Sequence, residues 1–249
     1  MSPEGPIDWQ ARQRLLERPA NLDFLLTRRT EFLRRFLKAG DRVLEIGAGL
    51  GIVPLYVKGV RATSTDVSYK PWLHSVADAM RLPFQDGVFD AVVCLHVLHH
   101  LAHPSRAVEE MVRVAKPGGC LLIAEPHASV SLRLVLALTH HEGVDRRVDP
   151  FGSASCQASG SVAGGNNAIG DLLFEDMDRF QRTFPGLRLE HHRLAEWLTF
   201  LNSGGVGFRA PCVPLPRRAL RLMGRLDDWL VRFPGLFPMC RELALRKTP

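Results

Sequence analysis

The stretch Val43-Leu44-Glu45-Ile46-Gly47-Ala48-Gly49-Leu50-Gly51 decides the fold of this chain. An apolar run ends at an acidic residue and gives way to three glycines at alternate positions, the pattern of a strand entering a tight turn before a helix. Gly47, Gly49 and Gly51 let the backbone turn and approach a ligand where a Cβ would collide, and the helix that follows offers free N–H groups. Ordinary strand-to-helix turns use glycine too, so the ligand's identity has to come from the surrounding residues. The dinucleotide fingerprint G-x-G-x-x-G needs a glycine where this chain has Ile52, so that spacing fails.

Working outward, Arg61-Ala62-Thr63-Ser64-Thr65-Asp66 reads as a second strand ending in an acid, and its carboxylate can accept both hydroxyls of a ribose. Asp90 to Leu95 is a short, β-rich apolar run of the kind expected for a central buried strand. His96-Val97-Leu98-His99-His100-Leu101 follows it. Further on, Val112-Arg113-Val114-Ala115-Lys116-Pro117-Gly118-Gly119 forms a turn before another apolar strand, Cys120 to Pro126.

These four motifs, in this order and spacing, resemble those of the class I S-adenosylmethionine-dependent methyltransferases, and most of all the small-molecule, ubiquinone/menaquinone-methyltransferase-like "type 11" group. The resemblance covers residues 41 to about 126. It implies an α/β, doubly wound seven-stranded sheet in the order 3-2-1-4-5-7-6, with strand seven antiparallel. It implies S-adenosyl-L-methionine as cofactor, held by Glu45, Gly47, Gly49, Gly51, Asp66 and Leu95, with Asp78 and Ala79 against the adenine.

The chain departs from the pattern in two places. Only 15 positions separate Gly51 from Asp66, and Pro54 stands in the first turn of the intervening helix, where its missing N–H is tolerated. Only 12 positions separate Asp66 from Asp78, and they contain Pro71 and Trp72, so the second helix is expected to shrink to a turn. The contacts of Trp72 and Leu73 are then open.

At 249 residues, with 46% hydrophobic and 23% charged content, the chain can bury one substantial core. The economical reading is a single methyltransferase domain over 1–249. It divides into cap helices (1–40), a cofactor-binding core (41–126), a lid and substrate region (127–172) and an insertion (193–240). Helical spacing is found over 7–17, 22–38, 105–115, 129–139 and 174–184, and strand patterns over 187–191 and 242–247. Residues 152–170 are rich in Gly, Ser, Ala and Asn, a composition suited to a mobile lid rather than a core. The first residues lack a signal-peptide pattern and no run of about 18 apolar residues occurs, so a cytoplasmic protein is expected. Five cysteines without a CxxC pair point to reduced thiols.

Residues 193–249 hold ten Arg or Lys and four Asp or Glu, a balance of +6 that equals the net charge of the whole chain. Within this span Ala219, Leu222, Met223, Leu226, Leu230 and Phe233 recur at helical spacing among arginines, a pattern resembling an interfacial helix. Two readings stay open for 217–233: an amphipathic helix packed on the domain with its arginines in water, or one in contact with a membrane surface or lipid substrate. Nucleic acid is not the expected partner, since the patch has few aromatics suited to stacking on bases.

A sulfonium-bound methyl group is already electrophilic, so the chemistry needs alignment of a nucleophile and exclusion of water. An oxygen acceptor also has to lose a proton, and an imidazole titrates in the right range. The candidates are His96, His99 and His127, each just beyond a strand's carboxyl end, where α/β sites open. His140-His141-Glu142 lacks the i, i+3 or i+4 histidine spacing of zinc helices, and no metal is expected. The leading function is methyl transfer to oxygen or carbon of a small-molecule or lipid-linked acceptor. The alternatives are a non-catalytic S-adenosylmethionine-binding protein and an RNA or protein methyltransferase.

Overall fold

The computed structural model describes residues 5–139, 142–157, 164–206 and 210–248. Its sheet contains β1 (Arg42–Ile46), β2 (Arg61–Asp66), β3 (Ser75–Val76), β4 (Phe89–Leu95), β5 (Ala115–Pro126), β6 (Leu187–Ala195) and β7 (Cys240–Lys247). The order is β3-β2-β1-β4-β5-β7-β6, as expected. β1 pairs parallel with β2 and β4, and β7 runs antiparallel between β5 and β6. Because the chain leaves β1 for β2 on one side and returns to β4 on the other, a crevice opens at the carboxyl ends of β1 and β4.

Alternation along the strands feeds two cores. Leu44, Ile46, Val92 and Ile123 pack on one face with Met111, from helix α5 (Pro104–Val114), and the opposite face buries Val43, Val93 and Leu122 against Phe32 and Val53. α1 (Gly5–Glu17), α2 (Ala20–Arg29), α3 (Glu31–Phe36) and α4 (Ile52–Tyr56) lie on the Val43 side.

The helix read over 22–38 is two helices, broken at Thr30. The Thr30 hydroxyl donates to the Leu26 carbonyl at 2.8 Å, the kind of local bond that competes with helix continuation. The helix read over 174–184 is likewise replaced by α7 (Ile169–Phe174) and α8 (Met177–Thr183), because Asp176 leaves helical geometry to accept the Arg179 N–H as a cap. α6 (Val130–Thr139) follows β5, while α9 (Leu198–Leu201) and α10 (Arg217–Leu230) occupy the insertion, which starts at 196 because β6 extends to Ala195.

The 152–170 stretch departs from a loose lid on both flanks: Cys156, Ala168 and Ile169 are buried. The Cys156 N–H donates to Ala102 O at 2.8 Å and the Asn166 N–H to His99 O at 2.7 Å, so small and amide residues here serve close packing. Residues 158–163 of that stretch lie outside the described residues, as do His140 and His141. No described helix is long and apolar enough to cross a membrane.

Candidate active site

The glycine turn sits at the carboxyl end of β1 with left-handed backbone at Gly47, Gly49 and Gly51. Gly47 admits no side chain, since a Cβ there would lie 2.5 Å from Val97 Cγ2. At Gly49 a Cβ would meet nothing nearer than Gly47 O at 3.9 Å, so the turn has one open side. That side gives a ligand access to backbone, which is what a cofactor cradle requires.

Glu45 is buried and spends its oxygens on the protein. Oε1 accepts the N–H groups of Ile52 and Val53 at 3.0 and 2.9 Å, and Oε2 accepts the Ser64 hydroxyl at 2.7 Å. It caps the N-terminus of α4, which lacks a capping side chain of its own. Burial pushes the Glu45 carboxyl up to about 7, against the opposing pull of Ser64, the two amides and Arg12. The Arg12 guanidinium donates to the carbonyls of Leu50 and Gly51 and lies 5.6 Å from the centre of the Trp72 ring.

Asp66, at the end of β2, accepts the Gly49 N–H at 2.9 Å on Oδ2, and Ser68 N–H and Lys70 Nζ at 3.0 and 3.2 Å on Oδ1. Trp72 closes this corner by donating its indole N–H to Gly49 O at 2.9 Å. The Ala77 N–H donates to Asp66 O at 2.9 Å, which brings the Asp78-Ala79 segment alongside. Asp78 is exposed and accepts the Met80 N–H, while Ala79 is buried. Leu95 ends β4 in register with Ala124.

The three candidate histidines have different surroundings. His96 is half-buried, with left-handed backbone (φ 57°), and its Nε2 faces the Cys240 thiol at 3.9 Å. Burial, then Arg29, His99 and His100, hold its imidazole well below the usual histidine range, so it is neutral at pH 7. His99 is buried with Nδ1 2.7 Å from Glu125 Oε2, and Nε2 faces Glu142 at 3.8 Å. Burial alone would lower the His99 pKa, but Glu125 and Glu142 raise it. His127 has both ring nitrogens engaged, Nδ1 at 2.6 Å from Asp171 and Nε2 at 2.9 Å from Pro234 O.

Several partners escaped the sequence reading. Glu125, fully buried in β5, accepts the N–H groups of Val97 and Leu98 at 2.8 and 2.7 Å and so shapes the whole histidine turn. A carboxylate inside an apolar strand was its signal. Glu196, also in left-handed backbone, is clamped by Arg29 of α2 through bonds of 2.7 and 2.6 Å and lies near His96 and Cys240. No local pattern joins residues so far apart in sequence.

The family model "Methyltransferase domain" matches residues 44–123. A demethylmenaquinone methyltransferase of Paenarthrobacter aurescens is 39% identical over 101 residues, 36% of this chain and 40% of that protein. A ubiquinone biosynthesis O-methyltransferase of Dechloromonas aromatica is 32% identical over 103 residues, 34% of this chain and 44% of the relative. The chain therefore spans less than half the length of these curated relatives. Among solved structures, a SAM-dependent methyltransferase from Archaeoglobus fulgidus superposes with a TM-score of 0.54 over 90% of this chain and 93% of that one, at 16% identity. The [4+2]-cyclase SpnF superposes with a TM-score of 0.52, also at 16% identity, over 89% of this chain and 80% of that one. Such low identities speak to the fold alone. Residues 44–123 are thus similar in sequence to methyltransferase domains, and the sheet order is that of the class I S-adenosylmethionine-dependent methyltransferase fold.

Proposed function

We propose that this protein transfers a methyl group from S-adenosylmethionine to oxygen or carbon of a small-molecule or lipid-linked acceptor. One observation carries the reading: Val97, packed on Gly47, joins the open glycine turn to the turn bearing His96 and His99 at a single mouth. When bound, S-adenosylmethionine supplies an electrophilic methyl on a sulfonium sulfur. The open turn at Gly49, the carboxylate of Asp66 and the braced helix end at Glu45 fit that group. A carboxylate offers about four acceptor sites. Three of those on Asp66 face Gly49, Ser68 and Lys70, so holding two ribose hydroxyls requires Ser68 or Lys70 to yield.

Among the histidines, His96 suits the role of proton acceptor. It is neutral at pH 7, while His127 is committed to Asp171 and Pro234. For an oxygen acceptor, the His96 imidazole would take up the hydroxyl proton as that oxygen received the methyl group, becoming imidazolium. His99, fixed by Glu125, frames the acceptor side. The protein's part is alignment and exclusion of water. Peripheral membrane contact through 217–233 belongs to this reading, with a lipid-linked acceptor as the substrate class it favours.

The test is incubation with methyl-labelled S-adenosylmethionine and a bacterial lysate, followed by partition of the label into lipid, small aqueous, RNA and protein fractions. Label in lipid or small molecules, lost with Gly49→Arg, is the expected result. Label in RNA or protein overturns the acceptor class. Cofactor binding without transfer to any fraction favours the non-catalytic alternative.

A further inference from the structure

An ordinary surface helix buries its apolar stripe. α10 does the reverse. Its buried residues are Leu220, Gly224 and Asp227. Each is followed two positions later, about 200° around a helix of 3.6 residues per turn, by a large exposed apolar side chain. Leu222, Leu226, Trp229 and then Phe233 are 43% to 68% exposed. Specific contacts fix this orientation. Gly224 presses on α2, where a Cβ would lie 3.0 Å from both Phe24 and Arg28, and the Asp227 carboxylate accepts the Leu198 N–H at 2.8 Å and the Thr199 hydroxyl at 2.5 Å.

A second helix repeats the pattern. Val130, Leu134 and Leu138 of α6, at i, i+4 and i+8, are 48% to 73% exposed along one face. The two helices are joined, since Val130 and Ser131 donate their N–H groups to Gly235 O and Leu236 O, both at 3.0 Å. Phe233 bridges the joint, with its ring 5.5 Å from Trp229 and 6.1 Å from Phe237. The joint also touches the mouth, because Pro234 O lies 2.9 Å from His127 Nε2.

Charge identifies the occupant. Arg218, Arg221 and Arg225 surround Leu222 in a shallow depression and sit about 40° to 100° to one side of the apolar stripe. Among the described residues none of the three pairs with a carboxylate. Apolar and aromatic side chains entering the acyl boundary, with arginines beside them at phosphate level, is the layout of an interfacial helix. We propose that α10, the 233–237 turn and α6 form a two-armed platform that lies on an anionic lipid bilayer and sets the mouth against it. That the platform serves an acceptor held in the bilayer rests on the methyltransferase reading; binding to the bilayer does not.

The experiment is sedimentation of the intact protein with vesicles of pure phosphatidylcholine and with vesicles containing phosphatidylglycerol, alongside calorimetric titration with S-adenosylhomocysteine. Expected is strong partition onto the anionic vesicles alone. Arg218→Glu/Arg221→Glu/Arg225→Glu should weaken it about 100-fold or more, at a few-fold per lost surface charge. Leu134→Ser/Leu138→Ser on α6 should weaken it at least tenfold, and both variants should keep the parent's melting temperature and nucleoside affinity. No partition, equal partition onto neutral vesicles, or indifference to the α6 substitutions overturns the platform. So does dimerisation through the same face, seen by sedimentation velocity and lost with Leu226→Ser. Vesicle binding without nucleoside binding leaves the platform standing and removes the methyltransferase reading; the converse does the opposite.

Discussion

Val97 sits on Gly47 so closely that a β-carbon there would lie 2.5 Å from Val97 Cγ2, and this contact couples the glycine turn to the histidine turn. Gly47→Ala therefore suffers twice, from left-handed backbone and from steric overlap, and should lower stability by about 2–4 kcal/mol. Gly49→Arg suffers mainly the first, since its Cβ enters open space. Denaturant titration should find Gly47→Ala the less stable of the two. Nucleoside titration should find binding lost in Gly49→Arg while most of its fold is retained. Equal stability of the two variants would contradict the close packing of the turns.

Asp66 takes three hydrogen bonds from the protein, and Gly49 N–H supplies one of them. Asp66→Asn keeps the volume and one acceptor oxygen but loses the charge opposite Lys70. S-adenosylhomocysteine affinity should fall at least tenfold, the scale of one charge-assisted hydrogen bond. A calorimetric affinity within twofold of the parent would remove Asp66 from the ribose role.

The parts of the fold legible in the sequence are those where one local rule decides. The glycine turn, the acid-ended second strand and the apolar central strands each follow from neighbouring residues, and the sheet order follows only from the family resemblance that these motifs carry. The break at Thr30 was not legible, because the helical stripe continues through it and only the hydroxyl bond to Leu26 O reveals the interruption. The site shows the same division. The turn at Gly49 and the strand-end position of Asp66 could be read from spacing, whereas the His99–Glu125 pair joins the ends of two strands, and Arg29 reaches Glu196 across 167 positions. The outward apolar stripe of α10 was half legible: its spacing showed two faces, but which one meets the protein depends on the fit of Gly224 and Asp227.

Glu45 makes the fold sensitive to pH in a definite direction. Its carboxyl rises on folding from the ordinary 4.5 to about 7, chiefly through burial, so between those values the folded protein binds more protons than the unfolded chain. This group's contribution to stability therefore falls as pH rises from 4.5 through 7, by roughly 3 kcal/mol in all. Glu45→Gln can still accept from Ile52 and Val53 and can donate to Ser64. Its stability relative to the parent should rise from pH 4.5 to pH 8. Urea denaturation at several pH values checks this, and a constant difference would show that Glu45 is charged in the folded state across the range.

His96 and His127 should separate in their effects. Asn tolerates left-handed backbone better than most residues, so His96→Asn preserves the turn while removing the imidazole. If His96 takes the acceptor's proton, kcat should fall about 10²- to 10⁴-fold with little change in nucleoside affinity. Because burial and Arg29 hold the His96 pKa well below its usual value, the parent's rate should stay level as pH falls through 6.5 and decline only further down. A decline centred at or above 6.5 points instead to His99, whose pKa Glu125 and Glu142 raise. His127→Gln breaks the link from Asp171 to Pro234 O, so it should cost about 1–3 kcal/mol of stability while kcat of the folded fraction changes less than threefold. Rates measured from pH 5 to pH 9 on all three proteins, with their melting curves, assign the proton acceptor. A His127 variant that folds as well as the parent but loses its rate would move the catalytic role from the end of β4 to the end of β5.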